Sequence, residues 1–364
     1  MNDLTELKEY VAVHARGQRI ADYRQLLDRI GHDEGSGPGS WVGEWSGAAR
    51  ALERQGDDLA AVKHYAMARF PYVDGPARAE ALERCVAAMD RWRTDQGLDI
   101  EPLEVELKEG RVRCWAGGLS STDPKPLLLV MGGIVSVKEQ WAPMLAHLRR
   151  LGMAGLIAEL PGAGENGLRY DAESWRMVSG LLDAVADRAD VSRTHATALS
   201  FSGHLALRCA VDDPRIRGVV TVGAPVGEFF TDPDWRRAIP RVTADTLAHM
   251  TGTTPDAIAD GALEGWALTR DQLASLDIPV AYVASSRDEI IPSSDLRLLR
   301  EGVRRLEVAE FDDVHGAPHH VAEVQLWTTR ALLRSRGVRG AQPALLGLAL
   351  RGLGLRRRLA GTRR

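Results

Sequence analysis

A serine hydroxyl becomes a useful nucleophile only where the backbone lifts it clear of its surroundings and a base takes its proton. Ser200 stands where the first condition is met. It follows the short run Thr194-His195-Ala196-Thr197-Ala198-Leu199, with Ala198 two residues before it and Ser202 two after. A helix-compatible stretch, Gly203 to Val211, comes next. Strand, tight turn and helix in that order form a nucleophile elbow, in which the serine is strained and its Oγ projects. The flanking positions must be small because the helix crosses close over the strand. Ala198 and Ser202 replace the two glycines of the usual G-x-S-x-G. Ser202 is a poor rival nucleophile, because its own plus-two neighbour is the bulky His204.

The serine needs a base and an acid to orient that base. One chain order for such triads is Ser, then Asp or Glu, then His. After the strand-like run Val280 to Ala284 comes Ser285-Ser286-Arg287-Asp288-Glu289-Ile290-Ile291-Pro292, which makes Asp288 the candidate acid. Glu228, after the run ending at Val222, is its rival. The next strand, Leu306 to Phe311, leads into Asp312-Asp313-Val314-His315-Gly316-Ala317-Pro318-His319-His320. His315 comes soonest after the strand and is the candidate base, ahead of His319 and His320. A metal held by these histidines with Asp312 and Asp313 is the weaker reading, so neither metal nor organic cofactor is expected. An oxyanion hole needs two aimed backbone N–H groups. Phe201 supplies one. Gly133 and Ile134 are candidates for the other, in the loop Met131-Gly132-Gly133-Ile134-Val135-Ser136-Val137-Lys138-Glu139. No G-x-x-x-x-G-K-[ST] pattern points to phosphate binding.

These residues need a scaffold. Apolar runs at 126–131, 154–158, 194–199, 218–222, 280–284 and 306–311 alternate with helical stretches at 138–151, 174–190 and 202–212. That pattern predicts an α/β fold, a mostly parallel sheet with helices on both faces. A hairpin precedes it, with Leu103–Leu107 and Val112–Trp115 around a turn at Glu109-Gly110. Residues 1–95 read as about four helices and are expected to form a lid over the sheet. Residues 96–335 form the main domain, with 226–275 a helical insertion. On this reading the lid controls which substrate enters and leaves the serine chemistry alone, and its aromatics Trp41, Trp45, Tyr65, Phe70 and Tyr72 belong to the core.

Hydrophobic residues at 45% and charged residues at 26% are ordinary for a soluble globular enzyme. Cys85, Cys114 and Cys209 are too scattered for a disulfide framework or a metal cluster and fit a reducing cytoplasm, where the protein is expected. Residues 331–364 carry nine arginines and no acid, so the remaining chain has a net charge of −13 against −4 for the whole. An acidic body argues against nucleic acid as a partner. No apolar stretch is long enough to span a membrane. The basic tail, 336–364, is expected to fray because its glycines weaken a helix.

Taken together, the Gly-Gly-x-x-Ser-x-Lys-Glu loop at 132–139, Pro161-Gly162-Ala163-Gly164, the Ser200 elbow, Asp288 and His315 resemble one branch of the α/β-hydrolase superfamily. That branch contains the fermentation-respiration switch protein, fungal polyketide-shortening hydrolases and 2,6-dihydropseudooxynicotine hydrolase. The resemblance implies cofactor-free cleavage of an ester, or of a carbon–carbon bond beside a ketone, in a small-molecule substrate, with secondary metabolism as a setting. It implies Ser200 as nucleophile, His315 as base and Asp288 as its orienter. The same residues also suit an acyltransferase or cyclase, and a non-catalytic binding protein of this fold is a third reading. Relatives with such a lid are often dimers, which leaves a homodimer open.

Overall fold

A computed structural model describes residues 3–361 of the chain, with side chains from 3 to 354. The N-terminal segment holds five helices: α1 (Leu4–Gly17), α2 (Tyr23–Arg29), α3 (Trp41–Arg54), α4 (Asp58–Arg69) and α5 (Pro76–Asp95). Three open on a side-chain cap, from Asp3, Ser40 and Asp57, that satisfies backbone N–H groups of the first turn. The helix beyond the expected four arises because the chain turns at Gln18-Arg19, with Arg19 at φ 57°. A hairpin follows, β1 (Ile100–Leu107) and β2 (Gly110–Gly117). Then come β3 (Pro126–Met131), α6 (Leu145–Leu148), β4 (Ala154–Ala158), α7 (Arg176–Ala184), β5 (Asp190–Leu199), α8 (Phe201–Asp212) and β6 (Ile216–Val222). The stretch 138–151, expected as one helix, is a single α turn between 3-10 turns, with Pro143 inside it.

The insertion after β6 carries α9 (Glu228–Thr231), α10 (Pro233–Ala238), α11 (Arg241–Thr251), α12 (Pro255–Asp260) and α13 (Arg270–Ser275). Arg236 ties it together, its buried guanidinium donating to the carbonyls of Ile258 and Phe230. The chain ends with β7 (Val280–Ser285), α14 (Ser293–Gly302), β8 (Leu306–Phe311), α15 (Val321–Ser335) and α16 (Ala341–Gly361). Within the tail expected to fray, Ala341–Gly361 is helical, and α16 packs along α15. Arg356, Arg357 and Arg358 lie beyond the described side chains, and Arg363 and Arg364 outside the described residues.

The eight strands form one sheet in the order β1-β2-β4-β3-β5-β6-β7-β8. β1, β2 and β4 pair antiparallel, and every pair from β4 to β8 is parallel. Alternate side chains feed two cores, as the strand period demands. On β3, Leu127, Leu129 and Met131 join α7 and α8 on one face. Leu128 and Val130 join α15 and the N-terminal helices on the other. Trp41, Trp45, Tyr65 and Phe70 are buried in that second core, whereas Tyr72 stacks on His249 of the insertion with ring centroids 4.4 Å apart.

The N-terminal segment also reaches the carboxyl edge of the sheet. The Glu6 carboxylate accepts the backbone N–H groups of Arg241 and Val242 at 2.7 and 2.9 Å, capping α11 from outside. Tyr10 donates to Glu289 in the loop after β7 (3.2 Å), and Arg16 meets His319 in the loop after β8 (2.8 Å). No helix among the described residues is long and apolar enough to cross a membrane.

Candidate active site

Parallel strands present their following loops at one edge, and every candidate residue lies there. Ser200 follows β5 with φ 56° and ψ −129°, a conformation that costs a non-glycine residue about 1–3 kcal/mol. The crossing of α8 over the sheet is close at Gly203. A Cβ there would collide with Thr221 Oγ1 and stand 2.7 Å from Ala224 Cβ. The position that must be smallest is thus one residue beyond Ser202. The Ser202 hydroxyl is buried and turned inward, within reach of the carbonyls of Leu199 (2.8 Å) and Met131 (3.0 Å). It ties the elbow to the end of β3.

His315 Nε2 lies 3.1 Å from Ser200 Oγ, and His315 Nδ1 lies 2.9 Å from Asp288 Oδ2. Asp288 is held in turn, its Oδ1 accepting the N–H groups of Ile290 (3.0 Å) and Ile291 (2.8 Å). Burial alone would depress the His315 imidazole, but the Asp288 carboxylate, by charge and hydrogen bond, and then Glu289 hold it above its ordinary value. The rivals sit elsewhere. Glu228 opens α9 and faces Arg297 at 3.7 Å. His319 and His320 both place Nδ1 on the buried carboxylate of Asp313, at 2.8 and 2.9 Å. Burial pushes that carboxyl up, yet the two imidazoles and the backbone donors bring it down to about 2.

Phe201 opens α8, so its N–H has no partner within the helix. Gly133 lies against the serine, since a Cβ on it would stand 3.4 Å from Ser200 Cβ. Ile134 follows it, buried, in a turn closed by the Ser136 N–H on the Gly133 carbonyl (3.0 Å). Lys138 and Glu139 anchor the loop rather than face the serine. The Lys138 ammonium contacts Glu139 (2.9 Å) and Glu165 (2.6 Å), Glu139 accepts from Trp115 Nε1 (2.9 Å), and Glu159 accepts the Lys138 N–H (3.0 Å). Burial pushes the Glu159 carboxyl up to about 7 despite the lysine beside it.

Sequence reasoning missed two neighbours of these three side chains. Glu289 accepts the His315 backbone N–H at 3.0 Å and the Tyr10 hydroxyl on its other oxygen. Gly223, after β6, has φ 59°, and a Cβ on it would stand 2.7 Å from His315 Cε1. The Val222-Gly223-Ala224-Pro225 sequence at a strand end was the available signal for the second.

The model of the FrsA-like esterase family matches residues 6–302 of this chain. The chain belongs to that family. It is 24% identical over 320 residues to Esterase FrsA of Vibrio cholerae serotype O1, covering 82% of this chain and 76% of the relative. It is 25% identical over 324 residues to Esterase FrsA of Pectobacterium atrosepticum, covering 81% and 76%. Among solved structures, AbyA5 is 53% identical, with a TM-score of 0.92 over 97% of this chain and 100% of that one. A 2,6-dihydroxy-pseudo-oxynicotine hydrolase shares the fold at 19% identity and a TM-score of 0.65, over 81% and 87% of the two chains. The FrsA-like match agrees with the branch that the sequence motifs resemble, and the fold is that of an α/β-hydrolase.

Proposed function

We propose that this FrsA-like chain is a serine hydrolase that acts through an acyl-enzyme on an ester or ketone-containing small molecule. The observation that carries the reading is the line Ser200 Oγ, His315 and Asp288, with successive contacts of 3.1 and 2.9 Å beside the approaching backbone of Gly133. His315 Nε2 takes the Ser200 proton as Oγ attacks the substrate carbonyl. The anionic oxygen rests on the N–H groups of Phe201 and of Gly133 or Ile134. His315 then gives its proton to the leaving group: an alkoxide in ester cleavage, an enolate in carbon–carbon cleavage. Water, activated by the same imidazole, releases the acyl group. The same three residues would serve a second reading, in which a hydroxyl or amine of the substrate replaces water and the product is cyclised or transferred.

The test is a fluorophosphonate probe with mass mapping of the labelled peptide. The wild type should label at Ser200, and Ser200→Ala should lose both label and turnover of a short aryl ester while keeping its fold. An unlabelled wild type would favour the binding-protein reading, and label persisting at Ser202 in Ser200→Ala would overturn the nucleophile.

A further inference from the structure

The turn that carries Gly133 and Ile134 is gripped by a residue of the N-terminal segment. Arg69, the last residue of α4, is 1% exposed. Its Nη2 donates to the Val135 carbonyl at 2.7 Å, and its Nη1 to the Pro71 carbonyl at 2.8 Å. Its Nε is buried and has no hydrogen-bond partner among the described residues. Burying a guanidinium is costly, and leaving one of its donors unpaired adds to that cost. Two buried carboxylates nearby, Glu159 and Glu139, favour the cation; burial brings it down only to about 10, so it stays charged at neutral pH.

The target of this buried cation matters. Val135 lies inside the Gly133–Ser136 turn, next to Ile134 and two residues from Gly133. A peptide plane held at Val135 restrains how far the preceding planes can rotate, because the hydrogen bond between Ser136 and Gly133 closes the same turn. The flanks are already fixed. Ser202 reaches for the carbonyl of Met131 before the turn, and Glu159 holds the N–H of Lys138 after it. Inside the turn, Arg69 supplies the side-chain anchor.

We propose that Arg69 is a positioning residue for the oxyanion hole, fixing the aim of the Gly133 and Ile134 N–H groups through the Val135 carbonyl. This rests on the acyl-enzyme reading above. It also makes the N-terminal segment part of the reaction machinery, in contrast with a lid that leaves the chemistry alone.

The experiment compares Arg69→Lys and Arg69→Met with wild type, each counted by fluorophosphonate titration of active sites. Two readouts are taken: turnover of a short aryl ester, and inhibition by an aryl trifluoromethyl ketone, whose adduct carries the anionic oxygen. Losing a whole oxyanion donor costs about 10²–10³ in kcat, so a misaimed turn should cost Arg69→Met roughly 10- to 100-fold per titrated site, with KM little changed. The trifluoromethyl ketone affinity should fall by the same factor, and Arg69→Lys, which keeps the charge and N–H donors on a shorter side chain, should recover part of both. Packing alone would lower stability and the titrated fraction, leaving turnover per site and ketone affinity at wild-type values; that result overturns the proposal. So does a rise in KM alone, or the failure of both variants to fold. A wild type that labels at Ser200 with unaffected variants sinks the Arg69 inference only, whereas a wild type that neither labels nor binds the ketone sinks the acyl-enzyme reading and this inference with it.

Discussion

At the scale of single residues, the proposed chemistry depends on keeping one imidazole neutral and aimed. In the proposed mechanism His315 serves as base only in its neutral form, and its neighbours hold its pKa above the ordinary imidazole value of about 6.5. The acid limb of kcat/KM should therefore have its midpoint above that value, with activity rising as pH rises through it. Glu289→Gln removes a negative charge beside His315 and should move this midpoint to lower pH, while loosening the hydrogen bond on the His315 N–H costs about 10- to 100-fold in kcat. A pH–rate profile of Glu289→Gln superposable on that of wild type would show that Glu289 does not act on the imidazole. His315→Ala should lower kcat by about 10⁴ or more. His319→Ala loses contacts to Asp313 and Arg16 and should leave kcat within a few-fold. Reversed effects in the two histidine variants would identify the wrong loop register. Ser200, Asp288 and His315 were legible because each follows its own strand in a fixed chain order. Glu289 was not, because its meaning lies in contacts with His315 and with Tyr10, which is 279 residues away.

At the scale of elements, glycines decide how closely the loops approach one another. Gly223→Ala forces a left-handed backbone on a residue with a side chain, at about 1–2 kcal/mol. It also drives a methyl toward the His315 ring, where the new Cβ would stand 2.7 Å from Cε1. The expected result is a Tm lowered by a few degrees with kcat reduced by about 10² or more. Kinetic and thermal losses of equally small size would mean that the imidazole had simply moved aside. The strands were readable because their apolar runs are continuous and the helices between them periodic. The elbow was harder. Its Ala198 and Ser202 hide the pattern, since the close crossing falls on Gly203, outside the five-residue window. The 138–151 stretch misled for a related reason: its apolar spacing suits a helix, yet Pro143 and the anchoring of Lys138 break it into separate turns.

At the scale of the whole molecule, the N-terminal helices and one face of the sheet share a continuous apolar core. That surface, once stripped, has nothing else to cover it, and burial is worth about 25 cal/mol per Å². Deleting residues 1–95 should therefore yield protein that aggregates or binds a hydrophobic dye, with no cooperative melt. A monodisperse truncated chain with a sharp melt would show that the two parts fold independently. The helical character of this segment was plain in its composition. Its reach into the site was not, because Arg69 and Tyr10 act across 66 and 279 residues of sequence on partners that no local pattern marks.

Glu6 is one of several threads that bind α1 to the carboxyl edge of the sheet. Its half-buried carboxylate holds two peptide N–H groups at the start of α11, donors that water can take over without disturbing the helix. Parting α1 from the insertion would also break the Tyr10–Glu289 and Arg16–His319 contacts, and Glu289 in turn holds the His315 N–H. A substitution near residue 6 is therefore expected to be felt at the imidazole as well as at the start of α11, so that the fit of this segment and the chemistry change together.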